Sequence, residues 1–459
     1  MAHSMDTDKQ QFAALMQQFI GLEQDYFETI NEKPVANTAQ LSANEGLTEL
    51  GTGASEALEY FSEFFAEELS GSNGPRYLGF VTGGATPAAI IGDWLTSLYD
   101  QNAANFSYSL AGQIELLTIE MLKDLFSLKQ AYTGSFVSGA TMANFVGLAQ
   151  GRQWIGQQYG QDLAENGLFS IPEIKIASGT PHSSISKVAA MLGIGRNALQ
   201  QIPVKDDREA VDLAALETFL KQLDRPCIVV ANAGTVNTVD FDDLEAIGQL
   251  KKNYPFWLHV DAAFGGFAAC SPKFERLLTG LNHADSITID AHKWLNVPYD
   301  SAMQFTQHQE LQLEVFNNHA SYLNTGGAQP DFSNLTPENS RRFRALPAWF
   351  TLKAYGKAGY RQLVEQNSAF ALELGKRITD SPFFELLSPV RLNGVCFTLK
   401  DPAKTTEFLK KINQAGQVFL TPTTYKNQPA IRASFSNWQT KPADVAIIWH
   451  SLEAEAQQL

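Results

Sequence analysis

The chain has 459 residues and a formal net charge of −15, from 34 Lys and Arg against 49 Asp and Glu. This length predicts two or three domains, since a domain holds about 100–200 residues. With 44% hydrophobic and 18% charged residues, the sequence can bury a large core and is not disordered. Adjacent basic residues occur only in pairs, which argues against a nucleic-acid groove, and no apolar run approaches the roughly 18 residues of a membrane span. We therefore expect an acidic globular protein, and most simply an enzyme.

The cysteines point to a reducing compartment. Cys227, Cys270 and Cys396 are scattered, form no CxxC pair and suggest no disulfide framework. No secretory leader and no metal site are predicted. We expect a cytoplasmic location.

The N-terminal part predicts helices. Apolar residues recur at helical spacing over 12–22 and again over 57–69, with a polar linker over 33–44 between them. We assign residues 1–75 to a helical N-terminal segment.

From about residue 134, short runs rich in β-branched residues alternate with helical stretches. The runs at 174–177, 227–231, 257–260 and 286–289 predict strands, and 212–223 and 243–253 predict helices that begin at an aspartate cap. This alternation predicts an α/β fold with a mostly parallel sheet that is covered by helices on both faces. We assign residues 76–350 to this large domain. Ligands are expected at the carboxyl ends of its strands.

The remainder, residues 351–459, predicts a small α+β domain. A helix over 352–380 precedes strands over 390–399, 417–421 and 430–436, and a helix closes the chain.

One candidate site lies between a strand and a helix. Small residues at 138–141 precede the helical stretch 142–152. Small side chains let a phosphate approach the backbone, and the helix N-terminus attracts the anion. A tight turn without a ligand explains the segment equally well, because it matches neither the P-loop nor the GxGxxG pattern.

Two further candidates follow buried strands. Asp261 ends the run 257–260, where its carboxylate either caps the next turn or pairs with a protonated ring nitrogen. Lys293 follows the run 286–289 beside Trp294 and Leu295. A lysine held there suits Schiff-base chemistry, and a surface lysine whose amine reaches the solvent is the alternative.

Together, the lysine, the aspartate and the phosphate cradle describe a pyridoxal phosphate site. In the segments 257–266 and 291–295 above all, the sequence resembles the group II pyridoxal-phosphate-dependent decarboxylases, of the aspartate aminotransferase superfamily (fold type I). Its motifs are closest to the aromatic L-amino-acid decarboxylase branch. The resemblance extends from about residue 75 through 349, and more loosely to the C-terminus.

The resemblance implies roles for the site residues. Lys293 would carry pyridoxal 5'-phosphate as a Schiff base, and Asp261 would hold the pyridine nitrogen. The other implied cofactor contacts are His182 and Ala263 on the two ring faces, Thr235 beside the ring, and Ala140, Thr141 and His292 at the phosphate. On the substrate side, Tyr322 on a loop would protonate the substrate carbon, Arg432 would meet the carboxylate, and Phe80 and Phe106 would line the side-chain pocket.

The implied activity is decarboxylation of an L-amino acid to its amine and CO₂ by a homodimer that is formed through the N-terminal segment. The same fold can also support an aldehyde-releasing lyase or an oxidative deaminase. A chain that binds the cofactor but is an inactive regulatory protein is a third interpretation. Gly74, Pro75, Arg76 and Tyr77 depart from the family pattern on the substrate side, so the substrate stays open.

Overall fold

Two β-sheets organise the chain in a computed structural model, which describes residues 4–36, 46–106, 109–318 and 330–459. The helices are α1 (Met5–Thr29), α2 (Ala54–Phe64), α3 (Pro87–Tyr99), α4 (Ala111–Leu125), α5 (Ala140–Gln158), α6 (Leu163–Asn166), α7 (Ser183–Met191), α8 (Leu213–Leu223), α9 (Leu244–Leu250), α10 (Gln309–Phe316), α11 (Ala345–Asp380), α12 (Thr405–Gln414) and α13 (Pro442–Ala456). The strands are β1 (Thr133–Val137), β2 (Ile176–Ser178), β3 (Leu199–Gln201), β4 (Cys227–Asn232), β5 (Phe256–Asp261), β6 (Ser286–Asp290), β7 (Ala302–Thr306), β8 (Phe384–Leu386), β9 (Gly394–Leu399), β10 (Thr421–Tyr425) and β11 (Gln428–Ser434).

The larger sheet has seven strands in the order β1-β7-β6-β5-β4-β2-β3. The neighbouring strands from β3 to β6 are parallel, and β7 runs antiparallel to both β6 and β1. The predicted α/β fold with a mostly parallel sheet is therefore confirmed. β1, β2, β4, β5 and β6 all end at the same edge of the sheet.

The two faces of the large sheet have separate cores, as the period of a strand requires. Along β5, Phe256, Leu258 and Val260 pack into the core on one face, whereas Trp257 packs into the core on the other face. Because side chains alternate, His259 and Asp261 lie on the same face as Trp257. That face is covered by α5, whose Gly151 would bring an added Cβ within 2.9 Å of Cδ1 of Trp257.

The smaller sheet is antiparallel, in the order β10-β11-β9-β8, and α11, α12 and α13 pack against it. Its core is a separate cluster that includes Phe384, Phe397 and Phe408. The long helix α11 begins at Ala345 rather than at 352 and is interrupted at Gly356, where φ is 55°.

The predicted strand over 417–421 is wrong in its position. β10 begins only at Thr421, because the preceding segment pairs elsewhere. The main chain of Phe419 accepts from the N–H of Leu78 at 3.0 Å and donates to the carbonyl of Arg76 at 3.2 Å. The segment before β10 therefore pairs its main chain with residues 76–78, a partner that sequence patterning does not reveal.

All three cysteines are free and buried. Among the residues that the structure describes, no helix has the length and apolar character that crossing a bilayer requires. The domain boundaries at 75 and 350 stay predictions.

Candidate active site

A cavity of about 800 Å³ opens at the carboxyl edge of the large sheet. Ligand pockets usually enclose roughly 300–1,000 Å³. Thr235 and Phe106 do not line it, and Tyr322 lies outside the described residues. The predicted site residues that do line it are Phe80, Ala140, Thr141, His182, Asp261, Ala263, His292, Lys293 and Arg432.

Lys293 lies directly after β6, in the short π-helical turn Ala291–Leu295. Its Nζ is 3.2 Å from Oδ2 of Asp290 and 5.5 Å from the centroid of the Phe264 ring. The Asp290 side chain is buried, and its Oδ1 receives no hydrogen bond from the described residues. The amine is therefore held at the cavity wall beside a buried carboxylate. Asp290 is not among the residues predicted from the sequence, although an acid at the end of a buried strand is the same signal that indicates Asp261.

Asp261 is the last residue of β5 and is 7% exposed. Its Oδ1 accepts from the main-chain N–H of Ala263 at 3.2 Å, and its Oδ2 accepts from Nδ2 of Asn144 at 3.1 Å. A carboxylate that is oriented by two donors and open to a cavity can accept a further hydrogen bond from a ligand. Asn144, which the sequence analysis did not select, comes from helix α5.

The N-terminus of α5 forms another wall. Gly139 is the N-cap and provides no side-chain cap, and its carbonyl accepts from the N–H groups of Met142 and Ala143 at 2.9 Å each. The N–H groups of Ala140 and Thr141 precede these first intrahelical bonds. Because the helix is 19 residues long, its dipole also favours an anion at this end.

His292 adjoins the same wall. Its Nδ1 accepts from the N–H of Ser301 at 3.3 Å, so the neutral ring carries its proton on Nε2. The ring packs on Tyr299 with a centroid distance of 4.3 Å. Desolvation lowers its pKa, while the nearby Asp290 acts in the opposite direction.

His182 is the N-cap residue of α7. Its Nδ1 contacts Oγ of Ser184 at 2.8 Å and accepts from the N–H of Ser184 at 3.3 Å. The ring keeps part of its surface open to the cavity, and the surrounding walls still lower its pKa by desolvation. A neutral ring at neutral pH can lie against an aromatic ligand without the cost of burying a charge.

Three predicted residues have other contacts. Arg432, on β11, donates from Nη1 to the carbonyl of Val236 at 3.1 Å, and its buried Nε has no partner among the described residues. The Thr235 hydroxyl donates to Oε2 of Glu209 at 2.5 Å. Phe106 packs on Phe332, with ring centroids 5.3 Å apart.

Phe80 reaches the cavity from a strained segment. Phe80 and Val81 have φ values of 56° and 61°, a left-handed conformation that is costly for a β-branched residue. The Phe80 side chain is 60% exposed. Its backbone thus holds a large apolar ring at the cavity rather than in the core.

These groups fit pyridoxal phosphate: an amine for its aldehyde, a buried carboxylate for its pyridine nitrogen and an open helix N-terminus for its phosphate. A family model described as "Pyridoxal-dependent decarboxylase conserved domain" matches residues 56–400, three quarters of the chain. The chain belongs to the pyridoxal-dependent decarboxylase family. It is thus a pyridoxal-phosphate-dependent lyase that acts on amino acids, and the predicted family and cofactor are confirmed.

Members and structural neighbours of the family show how far the likeness extends. An aromatic-L-amino-acid decarboxylase of Bacillus atrophaeus is 26% identical, over 100% of this chain and 98% of its own. Oryza sativa TDC, solved with PLP and tryptamine, has a TM-score of 0.92 at 18% identity, with 98% of each chain covered. Rhodiola rosea 4-hydroxyphenylacetaldehyde synthase has a TM-score of 0.88 at 20% identity, with the same coverage. The two structures establish the fold.

Proposed function

We propose that this family member converts an L-amino acid to its amine and CO₂, and that Lys293 is the residue that binds the cofactor covalently. The observation that carries the proposal is the convergence of Lys293, Asp261 and the open N-terminus of α5 on one cavity. Aromatic amino acids are the first substrates to test, because Phe80 provides an apolar wall and a relative that aligns over the whole chain is an aromatic-L-amino-acid decarboxylase.

Each group has a defined task in this proposal. The bound cofactor supplies the electron sink that accepts the charge left when CO₂ departs. Asp261 would accept a hydrogen bond from the protonated pyridine nitrogen, and Ala263, with its small side chain, would leave room for the ring. His182 would hold the opposite side of the ring. The N–H groups of Ala140 and Thr141 would bind the phosphate.

The remaining predicted residues complete the site. His292, whose neutral ring has its proton on Nε2, donates to the phosphate. Arg432, which lines the cavity, orients the substrate carboxylate. Tyr322, which lies outside the described residues, protonates the substrate carbon. Thr235 and Phe106 would reach a ligand only after a change from the contacts described above.

Covalent attachment tests the assignment of Lys293. The full chain loaded with pyridoxal phosphate is reduced with borohydride, digested and analysed by mass spectrometry. We expect the cofactor mass on the peptide that contains Lys293 and no adduct in Lys293→Ala. Lys187→Ala is a matched control, because Lys187 also lines the cavity and its loss should leave the adduct intact. An adduct on Lys187 in the wild type would contradict the assignment.

The products decide the reaction. Each L-amino acid is incubated with the loaded protein, and CO₂, amine, aldehyde, ammonia and hydrogen peroxide are measured. We expect CO₂ and amine in equal amounts. Aldehyde with ammonia would instead support the lyase or deaminase alternative, and a stable adduct without any turnover would support the inactive regulatory protein.

Assembly and location are parts of the same proposal. We propose a homodimer that uses the N-terminal helices, because α1 has no buried residue and α2 exposes Tyr60, Phe61 and Phe64. Sedimentation equilibrium tests the dimer, and a monomer at micromolar concentration would refute it. A cytoplasmic location stays a prediction, which cell fractionation can test.

A further inference from the structure

A chain of buried hydrogen bonds leads from the core of the large sheet to Asp261. Trp257 Nε1 lies 3.0 Å from Oγ of Ser286, which lies 2.8 Å from Nδ1 of His259. His259 Nε2 lies 2.9 Å from Oδ1 of Asn144, and Nδ2 of Asn144 lies 3.1 Å from Oδ2 of Asp261. His259 and Asn144 are both fully buried.

The chemistry at its two ends fixes the direction of this chain. The indole of Trp257 can only donate, and an ionised Asp261 can only accept. Asn144 must therefore turn its amide nitrogen to the carboxylate and its oxygen to the imidazole. His259 then donates from Nε2 and accepts at Nδ1 from the Ser286 hydroxyl. Every donor in the series points towards Asp261.

The same amide reaches a second group at the cavity. The other hydrogen of Nδ2 of Asn144 is directed to Oγ of Ser184, at 3.1 Å. Because that oxygen accepts from Asn144, its own hydrogen is free to bind Nδ1 of His182, which lies 2.8 Å away. Nδ1 of His182 is then an acceptor and the neutral ring carries its proton on Nε2.

The packing of α5 makes room for this arrangement. A Cβ at Gly147 would lie 2.6 Å from Nδ1 of His259 and 2.9 Å from Oγ of Ser286, so only glycine fits without displacing them. Asn144 and Gly147 are three residues apart and therefore face the sheet together. The helix thus contributes both the amide and the space behind it.

We propose that Asn144, locked in orientation by His259, is a positioning residue that aims the Asp261 carboxylate at the pyridine nitrogen and, through the Ser184 hydroxyl, reinforces the tautomer of His182 that the main-chain N–H of Ser184 already favours. This inference rests on the proposed roles of Asp261 and His182. Without His259, the amide of Asn144 can rotate and present its oxygen to the carboxylate, which would repel it. Asp261 would then lose both its orientation and the donor that stabilises its charge.

The test measures cofactor binding and ring protonation rather than activity alone. The full-length variants Asn144→Leu, His259→Met and His259→Gln are titrated with pyridoxal phosphate, and the ring nitrogen of nitrogen-15-labelled cofactor is observed by NMR. We expect Asn144→Leu and His259→Met to weaken cofactor binding about tenfold and to shift the resonance towards that of the unprotonated ring. His259→Gln retains an N–H donor, and we expect it to stay within about twofold of the wild type.

Gln150→Met is the matched control. Gln150 is also buried on α5, and its Oε1 accepts from the Thr306 hydroxyl at 2.7 Å, away from the cavity. We expect its loss to lower thermal stability and to leave cofactor affinity and the nitrogen resonance unchanged. Equal weakening in Gln150→Met, or no change in a folded Asn144→Leu, would overturn the proposal.

If Asn144→Leu does not fold, the two His259 variants provide the test. The same cofactor affinity and the same nitrogen resonance in His259→Met and His259→Gln would overturn the proposal. The result is separable from the proposed function. A wild type that makes amine while the variants bind the cofactor normally refutes only the positioning role. A wild type that binds the cofactor without making amine refutes only the decarboxylation.

Discussion

Acid should destabilise this protein partly through His259. Complete burial lowers the pKa of this imidazole from 6.5 to about 4, although the charge of the nearby Asp261 carboxylate acts in the opposite direction. The unfolded chain therefore binds a proton at a higher pH than the folded chain does. Stability is unaffected above the unfolded pKa and falls as the pH drops from about 6.5 towards 4.

The size of the effect follows from these two pKa values. Between about pH 7.5 and pH 4.5, protonation of the unfolded state lowers the free energy of unfolding by roughly 2–3 kcal/mol through His259 alone. Burial also lowers the pKa values of His182 and His292, which adds to the loss of stability in acid, whereas the raised pKa values of Asp242 and His308 oppose it. Substitution His259→Gln removes only the first contribution.

Urea unfolding at several pH values provides the assay. Over this pH range, we expect the free energy of unfolding to fall by roughly 2–3 kcal/mol less in His259→Gln than in the wild type. His308→Gln is the control with the opposite sign, because the hydrogen bond to Asp285 raises the pKa of His308 and stabilises the fold at low pH. The free energy of unfolding of His308→Gln should therefore fall more at low pH than that of the wild type. Identical pH profiles for the wild type and His259→Gln would refute the assignment of a neutral buried imidazole.

Three further substitutions test the core. Arg341→Met removes the ion-pair partner of the buried Glu115 carboxylate, which Arg341 contacts at 2.7 Å. The free energy of unfolding in urea should fall by about 3–5 kcal/mol. Adding Glu115→Gln should recover part of that loss, and no recovery would contradict the explanation. Gly147→Ala places a Cβ 2.6 Å from the buried imidazole and should cost about 1–3 kcal/mol by the same assay, whereas an unchanged midpoint would show that α5 can shift freely. Trp294→Phe removes the 2.8 Å bond from Nε1 to Oδ1 of Asn367 and should cost about 1 kcal/mol; Asn367→Leu in the same background should then cost less than it does alone.

The two sheets show where the pattern of apolar residues is sufficient to predict a strand and where it is not. The alternation of strands and helices predicted the large sheet because parallel strands that are buried on both faces need near-continuous apolar runs. The run before β10 has the same apolar character, but it pairs with Arg76 and Leu78. Burial is visible in a sequence, whereas the partner that provides it is not.

The sequence by itself determined that a lysine and an aspartate follow two buried strands, and the fixed period of a strand places Trp257, His259 and Asp261 on one face. Only the tertiary structure determined which side chains contact these residues. Asn144 reaches Asp261 across 117 positions, because α5 packs on that face of the sheet. Phe264 likewise comes within 5.5 Å of Nζ of Lys293 from another segment, and the carboxyl edge of the sheet gathers these groups around one cavity. Residue types and spacing select the chemistry, but the direction of a hydrogen bond depends on packing between segments that are far apart in the chain.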